Sequence, residues 1–238
     1  MPETFSASRA SRFIQCHASA NLELAIVGWE SPVVDPTKDN AANRGSHIHE
    51  LFAKVMELSP KNLEKFSEAI TYIAKLRKRR RFNVLIEQPM IAEWLPSQPG
   101  TTADLVLYVA DEIHVIDLKT GKIPVAAGGN HQLMFYAATY GHLAPKAVEV
   151  HLHIVQPWAD VMDEWIVPVN VLAAFMNDAA AADKAITNGS TQFKPGDHCQ
   201  FCPANPHGRG LKGTPLCPTM MDLLYPTIPL NEDEILGD

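Results

Sequence analysis

A chain of 238 residues, 46% of them hydrophobic, is long enough for one large domain or one domain with a small appendage, and apolar enough for a true core. It has no run of about 18 apolar residues, and its start (Met1-Pro2-Glu3-Thr4) lacks a signal peptide's basic and apolar opening, so a soluble, cytoplasmic protein is expected and a membrane protein is not. The formal net charge of -7 argues against indiscriminate coating of nucleic acid but allows an enzyme with a local basic groove.

Residues 6–27 open with serines able to cap a helix and continue with mixed apolar spacing. A loop over 28–43 follows, carrying Pro32, Pro36 and the polar run Asp35 to Asn43. The pattern predicts a helix from about Arg44 to Leu58 and another over 61–81, ending in the basic run Lys75 to Arg81. Strands are expected at Val84 to Glu87 and at Met90 to Trp94, with Pro-Ser-Gln-Pro-Gly as a turn. Asp104 to Val109 and Ile113 to Lys119 both alternate, with Ala110-Asp111-Glu112 between them. Gly128 and Gly129 precede a helix from about Asn130 to Tyr140. Val148 to Val155 reads as a strand paired with Glu164 to Val167, and Val169 to Thr187 as an alanine-rich helix. There is no internal repeat. This order predicts an α/β fold with a mixed central sheet flanked by helices. The expected organisation is a helical segment over 1–43, a core over 44–190, a cysteine-bearing segment over 191–222 and an acidic tail over 223–238.

The chemistry concentrates around Asp117-Leu118-Lys119. On a strand, residues two apart share a face, so the carboxylate and the ammonium lie together. If Ala110-Asp111 is a two-residue turn, Asp104 faces Asp117 directly. A four-residue turn keeps both acids on one face with an offset, and a three-residue turn separates them. Two neighbouring carboxylates repel, and a dication relieves that repulsion; magnesium takes such sites with water and phosphate oxygens completing its shell. A solvated Asp–Lys pair is the plainer alternative. On the helix that follows, Gln132 and Tyr136 are four apart and share a face. Upstream, His49 and Glu50 offer a further ligand and a second acid, and histidine tilts the choice of metal toward manganese.

Gly45 to His49, Gly100 to Asp104, Asp117 to Lys119 and Gln132 to Tyr136 fall in the order and spacing of four short motifs. Together they resemble the PD-(D/E)XK nuclease superfamily, in its RecB-like exonuclease branch, over roughly residues 44–140. The resemblance implies a restriction-endonuclease-like core. His49, Asp104, Asp117 and the Leu118 carbonyl would hold magnesium or manganese, Lys119 would orient the attacking water, and Glu50 would be a second-shell base.

Cys16, Cys199, Cys202 and Cys217 extend the likeness. One cysteine upstream and three downstream is similar to the CRISPR-associated RecB-like and AddB-type nucleases, where such a set holds a 4Fe–4S cluster. The longer gap between Cys202 and Cys217, with His207 inside it and His198 beside Cys199, leaves structural zinc as an alternative. Arg77, Lys78, Arg79, Arg80 and Arg81 read either as a solvated helix end or as a DNA-backbone contact. No Walker-type phosphate loop occurs, so no helicase motor is expected.

The resemblance thus implies a metal-dependent DNA exonuclease acting on ends or single strands in recombination, repair or DNA processing. It points to a phage or mobile-element protein in the host cytoplasm, with a single-strand annealing or recombination protein as partner and oligomerisation left open. The rival readings are a structure- or site-specific endonuclease and an inactive DNA-binding module of the same fold.

Overall fold

The computed structural model describes residues 5–25, 68–156, 159–205 and 217–224. The expected loop over 28–43 and helix over 44–58 lie outside these residues, as do His49 and Glu50.

Among the described residues, five strands form one sheet in the order β1 (Asn83–Ile91), β2 (Gly100–Val109), β3 (Glu112–Leu118), β4 (Glu149–Gln156) and β5 (Val161–Pro168). The sheet is mixed: β3 and β4 run parallel, and the other neighbours are antiparallel. The parallel step needs a crossover. Helix α4 (His131–Tyr140) supplies it, with the Asn130 side chain accepting the Leu133 amide as its N-cap. Helices α1 (Ala10–Gln15), α2 (His17–Ala25) and α5 (Val169–Thr187) complete the layer on that side. Helix α3 (Glu68–Arg79) covers the other face, and the short α6 (Pro218–Leu224) follows the last cysteine.

Period-two alternation explains the two cores. Ile113 and Val115 of β3 and Leu152 and Ile154 of β4 join Phe13, Phe135 and Phe175 on the α4 side. Ile116, Leu118, Leu105 and Val155 meet Ile73 and Leu76 of α3 on the other. The N-terminal segment buries Phe5, Ala10 and Phe13 in the first of these cores. Among the described residues, no helix is long and apolar enough to cross a membrane.

The structure differs from expectation in two places. Val84 to Glu87 and Met90 to Trp94 do not form two strands: one strand runs from Asn83 to Ile91 and the turn begins after it. Pro89 fits there because, among the described residues, β1 is an edge strand, where a missing amide costs the ladder little. In the N-terminal segment, Cys16 sits in an extended break between α1 and α2. Strand alternation also suggests a solvated or groove-lining face for His151 and His153 of β4, but α3 covers that face and His153 is fully buried.

Candidate metal and phosphate site

The hairpin has the two-residue turn. Val109 pairs with Glu112 and Leu105 with Ile116, which sets position 104 opposite position 117. The β2–β3 ladder ends at Leu105–Ile116, and the strands part at the two acids. Asp104 Oδ2 takes over the next donor, accepting the Leu118 amide at 2.6 Å. The Lys119 amide instead donates to the Val155 carbonyl at 2.9 Å, keeping this end of β3 on β4. Both carboxylates are buried in the resulting cleft, on the α4 side of the sheet.

A second irregularity lies on the other side of Asp104. The β1 residue opposite it, Glu87, has φ +47°, a left-handed conformation uncommon outside glycine. The Tyr140 hydroxyl bridges the strands there, accepting the Ala103 amide and donating to the Gln88 carbonyl.

Lys119 lies just past the end of β3 and reaches back over the acids. Its Nζ is 2.7 Å from Asp117 Oδ2, an ion pair by distance whose alignment falls outside a hydrogen bond. The same Nζ donates to Gln132 Oε1 at 2.8 Å, and Gln132 Nε2 donates to the Tyr136 hydroxyl at 3.0 Å. Helical spacing explains the last contact, since positions i and i+4 stand one above the other. Burial pushes the Tyr136 pKa well above its ordinary value, Asp117 adds to the shift, and the Gln132 hydrogen bond opposes it. Tyr136 therefore keeps its proton at physiological pH.

Sequence reasoning passed over Gln156. This buried side chain at the end of β4 donates to the Gly121 and Ile123 carbonyls, each at 2.8 Å, and accepts the Val125 amide at 2.9 Å. Asp163 accepts the Ala127 amide at 2.7 Å. Together they fix the segment between Lys119 and α4. A lone glutamine at a strand end carries no signal by which to find this.

The four cysteines line one cavity, together with His198. Cys16 and Cys202 are buried, and Cys199 and Cys217 are half-buried. Burial pushes the Cys202 thiol up to about 11 and raises Cys217 as well, so these sulfurs favour the protonated form unless a cation compensates. Among the described residues, no three of the thiols come within 4.8 Å of one another. A tetrahedral zinc site, with Zn–S near 2.3 Å, would bring them to about 3.8 Å.

The basic run lies elsewhere. Arg80 pairs with Asp111 at 2.7 Å and Glu112 at 2.9 Å, at the turn end of the β2–β3 hairpin. At about 3.3 Å of rise per residue, that end is roughly 17 Å along β3 from Asp117. Lys78, Arg79 and Arg81 are exposed near it.

Two solved structures are similar to this chain. One is that of SSO0001, at 14% identity and TM-score 0.46, covering 90% of this chain and 85% of that one. The other is that of a candidate exonuclease from Eubacterium rectale, at 15% identity and TM-score 0.48, covering 94% of each chain. The family described as "Protein of unknown function (DUF2800)" matches residues 61–235, well over half of the sequence, and the chain belongs to that family.

Proposed function

We propose that the chain is a metal-dependent DNA exonuclease that hydrolyses phosphodiester bonds at DNA ends or in single strands. The observation that carries this reading is the convergence of Asp104, Asp117 and Lys119 in one cleft, with Lys119 held by Gln132. Two buried acids side by side would repel when both are ionised, and they suit a dication. Asp104, Asp117 and the Leu118 carbonyl would hold magnesium or manganese, with His49 completing the set. When bound, the ion supplies a water of lowered pKa and charge to balance the phosphate.

The chain's own groups do the rest. Lys119 presents its ammonium where negative charge grows on the phosphate in the transition state, and it orients the attacking water. Gln132 fixes that ammonium and Tyr136 fixes Gln132. Because Tyr136 stays protonated, it serves as a hydrogen-bond partner and not as a base. Glu50 is a candidate base beside His49. Arg77, Lys78, Arg79 and Arg81 would contact DNA backbone remote from the cleaved bond, while Arg80 is engaged with Asp111 and Glu112.

The cysteine cavity would hold a 4Fe–4S cluster through Cys16, Cys199, Cys202 and Cys217, joining the N-terminal segment to the segment over 191–222. The gathering of all four cysteines around one cavity supports this reading. Anaerobically purified protein should absorb as an iron–sulfur protein does, and Cys199→Ser should abolish that absorbance; a colourless protein with bound zinc would overturn the assignment. A recombination or single-strand annealing protein is the natural partner for such an activity.

Covalently closed circular DNA tests the exonuclease reading. With manganese present, linear DNA should be degraded and the closed circle left intact. Nicking of the circle would make the protein an endonuclease.

A further inference from the structure

The sheet face turned toward α3 carries a second polar cluster, on the opposite side from Asp104 and Asp117. His114 of β3 is paired with His151 of β4, and Glu164 of β5 is paired opposite His153. His114 Nδ1 lies 2.9 Å from His153 Nε2, and Glu164 Oε1 lies 3.9 Å from that same His153 nitrogen. His114, His153 and Glu164 each bring a ligand atom to within 4.8 Å of the others. Both rings are buried, at 1% and 0% exposure, so packing fixes their positions.

The proton positions follow from the partners. Glu112 Oε1 accepts from His114 Nε2 at 2.8 Å, so that nitrogen carries the ring proton and Nδ1 is a bare lone pair. His153 Nε2 must then donate to it, and His153 Nδ1 accepts from the Tyr72 hydroxyl at 2.8 Å. Burial holds both imidazoles in the neutral form, with His153 pushed down to about 3. Neutral imidazole is the form that ligates metals.

We propose that His114 Nδ1, His153 Nε2 and Glu164 bind a divalent first-row transition ion of the zinc class, at a site separate from the one above. Two histidines and a carboxylate, with a coordination position left over, are a set that zinc takes. Zinc–nitrogen bonds of about 2.0–2.1 Å would place the two nitrogens about 3.3–3.4 Å apart, so the rings need separate by only a few tenths of an ångström.

On binding, His153 moves its proton from Nε2 to Nδ1, where it donates to the Tyr72 oxygen, and the protein's proton count is unchanged. The partners that orient ligating histidines are in place: Glu112 on His114 and Tyr72 on His153. His151 Nδ1, 2.8 Å from Glu164 Oε1, restrains the carboxylate, and the partly exposed Glu164 side chain offers a path for entry. The ion would tie β3, β4 and β5 together. None of this depends on the nuclease reading.

The test is zinc titration of the chelator-treated full chain by calorimetry, with cobalt as a spectroscopic probe. The acid pair and the cysteines can also take these ions, so wild type is compared with Glu164→Ala and His153→Asn. Glu164 is at the surface, and its variant should fold as wild type by circular dichroism. Wild type should bind one more equivalent of zinc than either variant, or bind it at least about 100-fold more tightly. The cobalt difference spectrum between wild type and Glu164→Ala should show d–d bands without thiolate charge transfer. Equal stoichiometry and affinity in wild type and Glu164→Ala, with identical cobalt spectra, would overturn the proposal.

Discussion

Lys119 Nζ donates to Gln132 Oε1 over 2.8 Å while standing 2.7 Å from Asp117 Oδ2, so one ammonium joins the end of β3 to the first turn of α4. Asp117 and the helix amide are thereby parts of one polar chain that ends on Tyr136. Each link is a short side-chain contact that a single substitution removes.

Gln132→Ala should release the ammonium without removing it. The expected result is a DNA hydrolysis rate lower by about ten- to 100-fold, because misplacing a reacting group by an ångström costs on that order. Tyr136→Phe should lower the rate less and destabilise the fold by about 0.5–1.5 kcal/mol, the usual net worth of one hydrogen bond. Single-turnover digestion and urea unfolding of both variants check this. A Tyr136→Phe rate below that of Gln132→Ala would show that Tyr136 acts other than through Gln132.

Gln156→Leu should loosen the segment that carries Lys119 into α4. It strips partners from the Gly121 and Ile123 carbonyls and from the Val125 amide, a loss of about 1–3 kcal/mol for groups left unsatisfied. Hydrogen exchange at Val125 should quicken while β2 and β3 amides keep their protection. Unchanged exchange at Val125 would show that the segment is held by other means.

The histidine cluster gives the metal-free chain a defined acid response. His153 is held neutral by burial, with the charges of His114 and His151 adding to the effect, and its pKa falls from 6.5 to about 3. Above 6.5 the folded and unfolded states both hold it neutral, so it adds no pH dependence. Between 6.5 and about 3 the unfolded chain binds a proton that the folded chain does not, so stability falls with pH. The slope approaches about 1.4 kcal/mol per pH unit per histidine. Chelator-treated wild type should therefore lose stability from pH 6.5 to 5 more steeply than His153→Gln, as read from urea unfolding at each pH.

The hairpin register was legible only in part: the two-residue turn that forms is one of three that the sequence left open, and it sets Asp104 against Asp117. The alignment of Gln132 with Tyr136 was legible outright, since helical spacing alone produces it. The pattern over 84–94 suggests two strands where one forms, with Pro89 inside it, and nothing local to residues 83–91 reveals that, among the described residues, they form an edge strand. The burial of His153 was hidden for a related reason: alternation tells which residues share a face, but not that α3 covers that face. Gln156 holds a distant segment through its side chain, a tertiary relation with no periodic trace.

Asp117 and Lys119 are the centre of the proposed nuclease. Its most direct test is digestion of end-labelled linear DNA, single- and double-stranded, by wild type, Asp117→Asn and Lys119→Met, with magnesium or manganese. Wild type should release labelled products only when the metal is present. Each variant should be slower by about 100-fold or more, as expected when a group stabilising transition-state charge is lost. DNA degraded at the same rate by all three proteins, or by none of them under any metal condition, would contradict the account.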